Sequence, residues 1–113
     1  MRFEWDEEKS RLNLIRHKVA FETAVLLFED PHAATIRDEL HSDEEERLIT
    51  IGSLGNALVL MAVHTSFDAD GEEVIRVISA RNATPREREF YEAEKANQRA
   101  AARHRRARRH ERE

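Results

Sequence analysis

Seven consecutive apolar residues, 57–63, form the longest uninterrupted apolar run of the chain. The run follows a turn-forming segment at 53–56, and His64 and Thr65 come directly after it. It is too short for a transmembrane helix, which needs about 20 apolar residues. A short apolar run that begins at a turn is typical of a central β-strand covered on both faces. The run therefore predicts a small domain organised around one sheet, and the 113 residues leave room for one core.

Two helices are predicted before the main strands and one after them. Asp6 and the acids at 7–8 are typical of a helix start, and residues 84–87 form a capping box with proline at the first helical position. Separate runs of helices and strands favour an α+β fold with a mainly antiparallel sheet. The predicted order is a strand at 3–5, helices from 7 and over 21–28, strands over 32–38, 47–52, 57–65 and 74–81, and a helix from 85.

Charge divides the chain into a body, 1–93, and a basic tail, 94–113. The body carries 11 Lys and Arg against 20 Asp and Glu, a net charge of -9, whereas the tail carries 8 against 3, a net charge of +5. Phe90, with Tyr91 or Ala93, is expected to dock the last helix on the sheet. The tail lacks large apolar residues, so we expect a helical extension or a disordered segment. It is either a basic arm that contacts phosphates or a solvated extension that balances the acidic body.

Three arginines occur at or in predicted strands: Arg47, Arg76 and Arg81. The planar guanidinium matches two phosphate oxygens at once and stabilises charge that develops in a transition state. The alternative is that each pairs with a carboxylate of the acidic body. Strict alternation along 74–81 predicts that Arg76 and Arg81 lie on opposite faces of one strand. A regular strand therefore cannot direct both side chains at one phosphate.

The candidates for acid-base chemistry are His17 and Glu46. His17 ends the first predicted helix between Arg16 and Lys18, a pattern typical of an anion site, although cations also favour helix C-termini. Glu46 adjoins Arg47 after an acidic run that is otherwise a solvated connection. His64 is expected to have a structural role. The chain has no cysteine, which excludes thiolates and cysteine-based metal sites, and the histidines show no convincing metal spacing.

The sequence resembles the BrnT-type ribonuclease toxins of bacterial and archaeal toxin-antitoxin pairs. The similarity covers residues 1–92 in order, and its most specific part is Arg76 to Thr84 followed by Glu87, Arg88 and Tyr91. The matching residues are Phe3 to Asp6, Lys9, Asn13, Arg16, His17, Val19, Phe21, Ala24, Phe28, Asp30, Pro31, Glu46, Arg47, Gly52, Ile75 to Arg81, Ala83, Thr84, Glu87, Arg88 and Tyr91.

The resemblance implies a RelE-like α+β fold and an endoribonuclease that blocks translation. It also implies neutralisation by a small ribbon-helix-helix antitoxin, a toxin-antitoxin heterotetramer, and operator DNA contacted through the antitoxin. No metal or cofactor is implied, and we expect a cytoplasmic protein because the N-terminus lacks the apolar segment of a signal peptide. From the residues and the resemblance together, we predict that the catalytic residues are His17, Glu46, Arg47, Arg76 and Arg81, and that the RNA-binding residues are Lys9, Arg16, Lys18 and Arg88.

Three features depart from the family pattern. Lys18 replaces a glycine suited to positive φ, which allows a different local turn. Asn82 replaces a basic residue and removes one phosphate contact, and the basic tail lies outside the pattern.

We expect attack of a ribose 2'-hydroxyl on the adjacent phosphorus, with the strand arginines binding the phosphate and Glu46 or His17 moving the proton. The alternative is a non-enzymatic module that binds the antitoxin and acts in operator binding, since an acidic protein lacks the cations that RNA affinity requires.

Overall fold

The computed structural model describes residues 1–41 and 45–112, with side chains as far as residue 108. Its strands form one sheet in the order β1-β5-β4-β3-β2, in which β1 and β5 pair in parallel and the other neighbours pair antiparallel. The predicted α+β class is confirmed, with two helices before the main strands and one after them. The elements are β1 Arg2–Glu4, α1 Glu7–His17, α2 Phe21–Ala24, a 3₁₀ helix Val25–Glu29, β2 Ala34–Arg37, β3 Leu48–Ser53, β4 Val59–Ala69, β5 Glu72–Asn82 and α3 Pro85–Arg112.

The two predicted helix caps are present. The Asp6 carboxylate accepts the N–H of Lys9 at 3.1 Å, which satisfies one free donor at the start of α1. At α3, the Glu87 N–H donates to the Thr84 hydroxyl and the Thr84 N–H donates to the Glu87 carboxylate. Lys18 follows α1 with a φ of 60°, so the left-handed turn is kept although its side chain is not glycine. A lysine in this conformation costs roughly 1 kcal/mol more than a glycine.

Strands β4 and β5 form a long hairpin that extends beyond its predicted ends. Asp70 and Gly71 both have positive φ and close it as a two-residue turn. Farther along, Val63 lies opposite Ser79 while the next residue, His64, lies opposite Val77. Ile78 therefore has no partner on β4 and forms a β-bulge, which shifts the alternation of side chains along β5 by one residue.

The bulge changes the face on which one arginine lies. In the structure Arg76 lies opposite Thr65 and Arg81 lies opposite Met61. Thr65 and Met61 are four residues apart on β4, so both arginines occupy one face of the sheet. The prediction of opposite faces was wrong, because sequence alternation does not register the extra residue.

Each face of the sheet packs on its own core. On one face α2 and the 3₁₀ helix bury Phe21 and Leu27 against Leu60 and Val77. On the other face α3 buries Tyr91 together with three strand residues: Ile51, Val59 and Met61. Phe90, with Tyr91 or Ala93, was predicted to dock α3; Tyr91 does so at 1% exposure, whereas Phe90 is 37% exposed. The helical rotation between neighbouring residues explains the correction, since only one of them can face the sheet.

A polar contact also secures α3. Asp30 ends the 3₁₀ helix, and its carboxylate accepts hydrogen bonds from the Tyr91 hydroxyl and from the N–H groups of Ser53 and His32. Burial alone raises the pKa of Asp30, but these hydrogen bonds outweigh it and hold the pKa below its ordinary value. Asp30 thus connects three separate parts of the chain through one carboxylate. No helix in the described part of the chain has the length and apolar character needed to cross a membrane.

Candidate active site

A cleft of about 430 Å³ brings together cationic side chains from three parts of the chain. Lys9 comes from the first half of α1, Arg47 precedes β3, and Arg76 lies in β5. Each of these three residues was predicted to contact RNA or its phosphates. The remaining lining residues are Leu40, His41, Glu45 and Ile78.

A second cleft of about 240 Å³ adjoins the first, because Lys9 and Ile78 line both. Arg16 and His17, at the C-terminal end of α1, contribute to this second cleft. Its other lining residues are Leu12, Asn13 and Ser79. Two adjacent clefts therefore contain five of the predicted site residues, and the bulged Ile78 lies between them.

Asn13 fixes α1 against the part of β5 that lines the clefts. Strand β1 pairs with only the first part of β5, which leaves the edge around Ala80 without a neighbouring strand. The buried Asn13 amide donates to the Ala80 and Val19 carbonyl groups at 2.9 Å each, and it accepts the Ala80 N–H at 3.1 Å. One side chain thus satisfies the open strand edge and sets the position of Lys9, four residues earlier on α1.

The cations of the larger cleft are held near the surface. Arg76 donates to Glu4 at 3.2 Å, and the two side chains are 52% and 38% exposed. An ion pair with this exposure is weak, so a phosphate can compete for the guanidinium. The Arg47 carbonyl accepts the Asp38 N–H at 2.8 Å, which fixes the backbone from which the Arg47 side chain extends.

His41 is a cleft residue that the sequence analysis did not select. Its Nδ1 lies 3.1 Å from Asp38 Oδ2, and the Asp38 side chain is 12% exposed while that of His41 is 62% exposed. A largely buried carboxylate therefore orients an accessible imidazole at the edge of the cleft. The spacing of Asp38 and His41 was the available signal, but it lies in an acidic segment without periodicity. Asp43 and Glu44 of the same segment lie outside the described residues.

Four other predicted site residues line neither cleft. Glu46 and Lys18 are exposed, and it is Glu45 that lines the larger cleft. The Arg88 guanidinium donates to the Ala57 carbonyl at 2.6 Å and holds the turn before β4.

Arg81 is held by the helix that follows its strand. It donates through both terminal nitrogens to the Glu87 carboxylate, at 2.8 and 3.0 Å. These hydrogen bonds raise the pKa of the Arg81 guanidinium and lower the pKa of the Glu87 carboxyl group. The arrangement connects the end of β5 to the first turn of α3. The catalytic role predicted for Arg81 stays a prediction.

His64 occupies the interior, where a structural histidine was expected. It is 2% exposed, its Nε2 lies 2.7 Å from the Thr50 hydroxyl, and its ring packs edge-on against Phe28. Burial lowers the pKa of His64, so the neutral imidazole is the stable form in the core. In the described ranges, no group of three or more His, Asp or Glu side chains is placed to hold a metal ion.

Comparison with known proteins places this geometry in a family. A family model described as the ribonuclease toxin BrnT of a type II toxin-antitoxin system matches residues 5–87. The crystal structure of the Brucella abortus ribonuclease toxin BrnT is similar in fold, with a TM-score of 0.55 and 23% sequence identity. That similarity covers 74% of this chain and 97% of the Brucella chain. No curated protein matches the sequence.

The family match includes every residue that lines the two clefts. It spans the caps of α1 and α3, the bulged strand β5 and the three cations of the larger cleft. The fold likeness, at an identity below one quarter, is independent support for the same α+β arrangement. The chain therefore belongs to the BrnT family of ribonuclease toxins of type II toxin-antitoxin systems.

Proposed function

We propose that this protein is a metal-independent endoribonuclease whose active site is the larger cleft. The observation that carries the proposal is the convergence of Lys9, Arg47 and Arg76 from three elements in one cleft. The body that surrounds them, residues 1–93, has a net charge of -9, so a local cluster of cations is unlike its remaining surface. Such a cluster suits a phosphodiester anion and the additional charge of its transition state.

The reaction is attack of a ribose 2'-hydroxyl on the adjacent phosphorus, which leaves a 2',3'-cyclic phosphate and a free 5'-hydroxyl. The substrate supplies the nucleophile, so the protein has to stabilise charge and move protons. Arg76 and Arg47 bind the non-bridging oxygens, and Lys9 supports them as a point charge. These side chains provide the positive charge that a metal ion supplies in other ribonucleases.

Proton transfer has three candidates in and around the clefts. His41 lies in the larger cleft and is oriented by Asp38, whereas His17 lies in the adjoining cleft. Glu46 precedes Arg47 but lines neither cleft. We favour His41 as the base that accepts the 2'-hydroxyl proton, because an accessible imidazole with a fixed ring suits this step. His17, in the adjoining cleft, is then our candidate for the acid that protonates the leaving 5'-oxygen.

The test is incubation of purified toxin, free of antitoxin, with end-labelled RNA in EDTA. Wild-type protein is expected to produce cyclic-phosphate ends, and Arg76→Ala to cut at least about 100-fold more slowly. Arg37→Ala is the matched control, because Arg37 is also a strand arginine, is also 52% exposed and also pairs with a glutamate. Cleavage that requires added magnesium would remove metal independence from the proposal. Intact RNA, also with ribosomes present, would leave the non-enzymatic antitoxin-binding module as the better account.

We further propose that the antitoxin is of the ribbon-helix-helix type and that two toxins and two antitoxins assemble. The support is membership of a type II toxin family, in which an antitoxin is the partner. In this assembly the antitoxin contacts operator DNA and carries the toxin with it. Light scattering of the co-expressed pair is expected to give the mass of a heterotetramer. A stable one-to-one complex that binds the operator would contradict this arrangement.

A further inference from the structure

The C-terminal half of α3 extends beyond the body of the protein. The helix continues from Pro85 to Arg112 without a break. Among the side-chain hydrogen bonds between α3 and the body, the one nearest the C-terminus joins Gln98 Oε1 and His32 Nδ1, which are 3.0 Å apart. The side chains of 103–108 are all exposed. At 1.5 Å per residue, the end of the helix at residue 112 reaches about 21 Å past that contact. The molecule is accordingly elongated, with extents of 56 × 36 × 25 Å.

The part of α3 from 96 to 109 is rich in arginine and has no acidic residue. Within the part of the chain whose side chains are described, its arginines form no ion pair with a carboxylate. Arg99, Arg103 and Arg106 follow a spacing of four and three residues, which places them on one face of the helix. The solvent-facing arginines form a cationic surface that the fold does not use for its own stability.

We propose that residues 99–108 form an RNA-binding arm that holds the phosphate backbone of the substrate outside the active-site cleft. The inference rests on the proposed ribonuclease function, since RNA is then the polyanion that this toxin has to bind. Its body is acidic and repels RNA, so a separate cationic element compensates for that repulsion. The arm lies outside the region 5–87 that defines the family match.

The distance between the arm and the cleft predicts how long an RNA must be to contact both. Helix α3 contacts the body near Ser53, through Asp30 and Tyr91, whereas Arg47 of the cleft precedes the opposite end of β3. The six residues of β3 separate these two ends by about 20 Å. An RNA must therefore extend well beyond the cleft to reach the arm. A fragment of a few nucleotides fills the cleft without contacting the arm.

The test compares the wild-type chain with the triple variant Arg99→Gln, Arg103→Gln and Arg106→Gln, because glutamine favours helix almost as well as arginine. The matched control replaces Arg2, Arg11 and Arg37 of the body by glutamine, which changes the net charge equally. A third variant replaces the three arm arginines by lysine. Binding is measured by fluorescence anisotropy at several salt concentrations, with fully 2'-O-methylated RNA of 30 and of 6 nucleotides, which cannot be cleaved.

For the 30-nucleotide RNA, the glutamine arm variant is expected to bind at least about 10-fold more weakly. Its log-log slope of affinity against salt should be smaller by about 2, since each lost phosphate contact contributes roughly 0.7 for a single strand. The lysine variant should retain most of the affinity, and the body control should bind like wild type. The 6-nucleotide RNA should bind all four proteins equally well.

If the wild type and the glutamine arm variant bind the 30-nucleotide RNA with equal affinity and equal salt dependence, the proposal of an RNA-binding arm is wrong. Loss of duplex DNA or antitoxin binding with unchanged RNA affinity would overturn it as well, since the arm then serves another macromolecule. The ribonuclease proposal fails separately, if unmodified RNA stays intact. An arm effect on the methylated RNA, which needs no cleavage, would still stand in that case.

Discussion

Two arginines of the same strand occupy different environments. The Arg76 side chain is 52% exposed and makes one contact with Glu4, whereas the Arg81 side chain is 34% exposed and forms two parallel hydrogen bonds with Glu87. The paired geometry fixes Arg81 between β5 and α3, because two hydrogen bonds define the plane of the guanidinium. Arg76 keeps the freedom to contact a ligand. Residue type alone does not distinguish these two roles.

Replacing Arg81 by alanine is expected to affect stability more than chemistry. The change leaves Glu87 without its partner at the start of α3, and we expect the free energy of unfolding to fall by about 1 kcal/mol. Cleavage should stay within about threefold of wild type, whereas Arg76→Ala should keep its stability and lose cleavage. Urea unfolding and RNA cleavage of both variants test this assignment. Loss of cleavage by Arg81→Ala at unchanged stability would instead support the catalytic role predicted for Arg81.

The buried His64 makes the stability of the protein depend on pH. Its pKa is lowered by burial, so below the unfolded value of about 6.5 the unfolded chain takes up a proton that the folded chain resists. The stability from the neutral imidazole is present above that value and is lost as the pH falls towards the folded pKa. The loss is at most about 1.4 kcal/mol per pH unit for one proton.

The variant His64→Gln isolates this contribution. Glutamine can still reach the Thr50 hydroxyl but does not titrate, so the stability difference between wild type and variant should narrow as the pH falls from 7.5 to 5. Unfolding of both proteins in urea at several pH values measures this difference in the free energy of unfolding. A difference that stays constant over this range would show that His64 is protonated equally in the folded and unfolded chain.

At the level of elements, α1 depends on its contact with the edge of β5. Asn13→Ala removes three hydrogen bonds and leaves two groups of Ala80 and the Val19 carbonyl without this partner. Each buried polar group left unsatisfied costs about 1 to 3 kcal/mol, so we expect a loss of at least about 2 kcal/mol. Leu14→Ala is a suitable control, since Leu14 is 48% exposed on the same helix. Equal losses in the two variants, measured by thermal unfolding, would contradict the role of Asn13.

Most elements were predictable because their signals are local. The caps of α1 and α3, the Asp-Gly hairpin and the apolar strand β4 each depend on residues close in sequence. The bulge at Ile78 was not predictable, because it depends on how β5 pairs with β4 and not on its own pattern. The residues of the candidate site divide in the same way, into those with a signal in the sequence and those set by tertiary packing. The cationic residues were identified from their places at strands and at the helix end and from the resemblance, but the partner of Arg81 and the position of His41 depend on tertiary packing.

The whole molecule consists of a packed body and a projecting helix end. Its radius of gyration is 16.2 Å, compared with about 13 Å for a compact domain of roughly this length. We expect a chain truncated after Ala102 to unfold at the same temperature as the full chain, within about 1 °C, because the side chains of 103–108 are exposed. Differential scanning calorimetry measures this. A markedly lower unfolding temperature would mean that the segment packs on the body.

The parallel pairing of β1 with β5 also orders events during synthesis. Arg2 lies beside Val74, so the first strand to leave the ribosome pairs with the last strand of the sheet. At 5 to 20 residues per second, on the order of several seconds separate the two strands. Lys9 and Arg76 can meet in the larger cleft only after this interval, because Lys9 lies in α1 and Arg76 in β5. The proposed site can therefore form only after both the first and the last strand of the sheet have been synthesised.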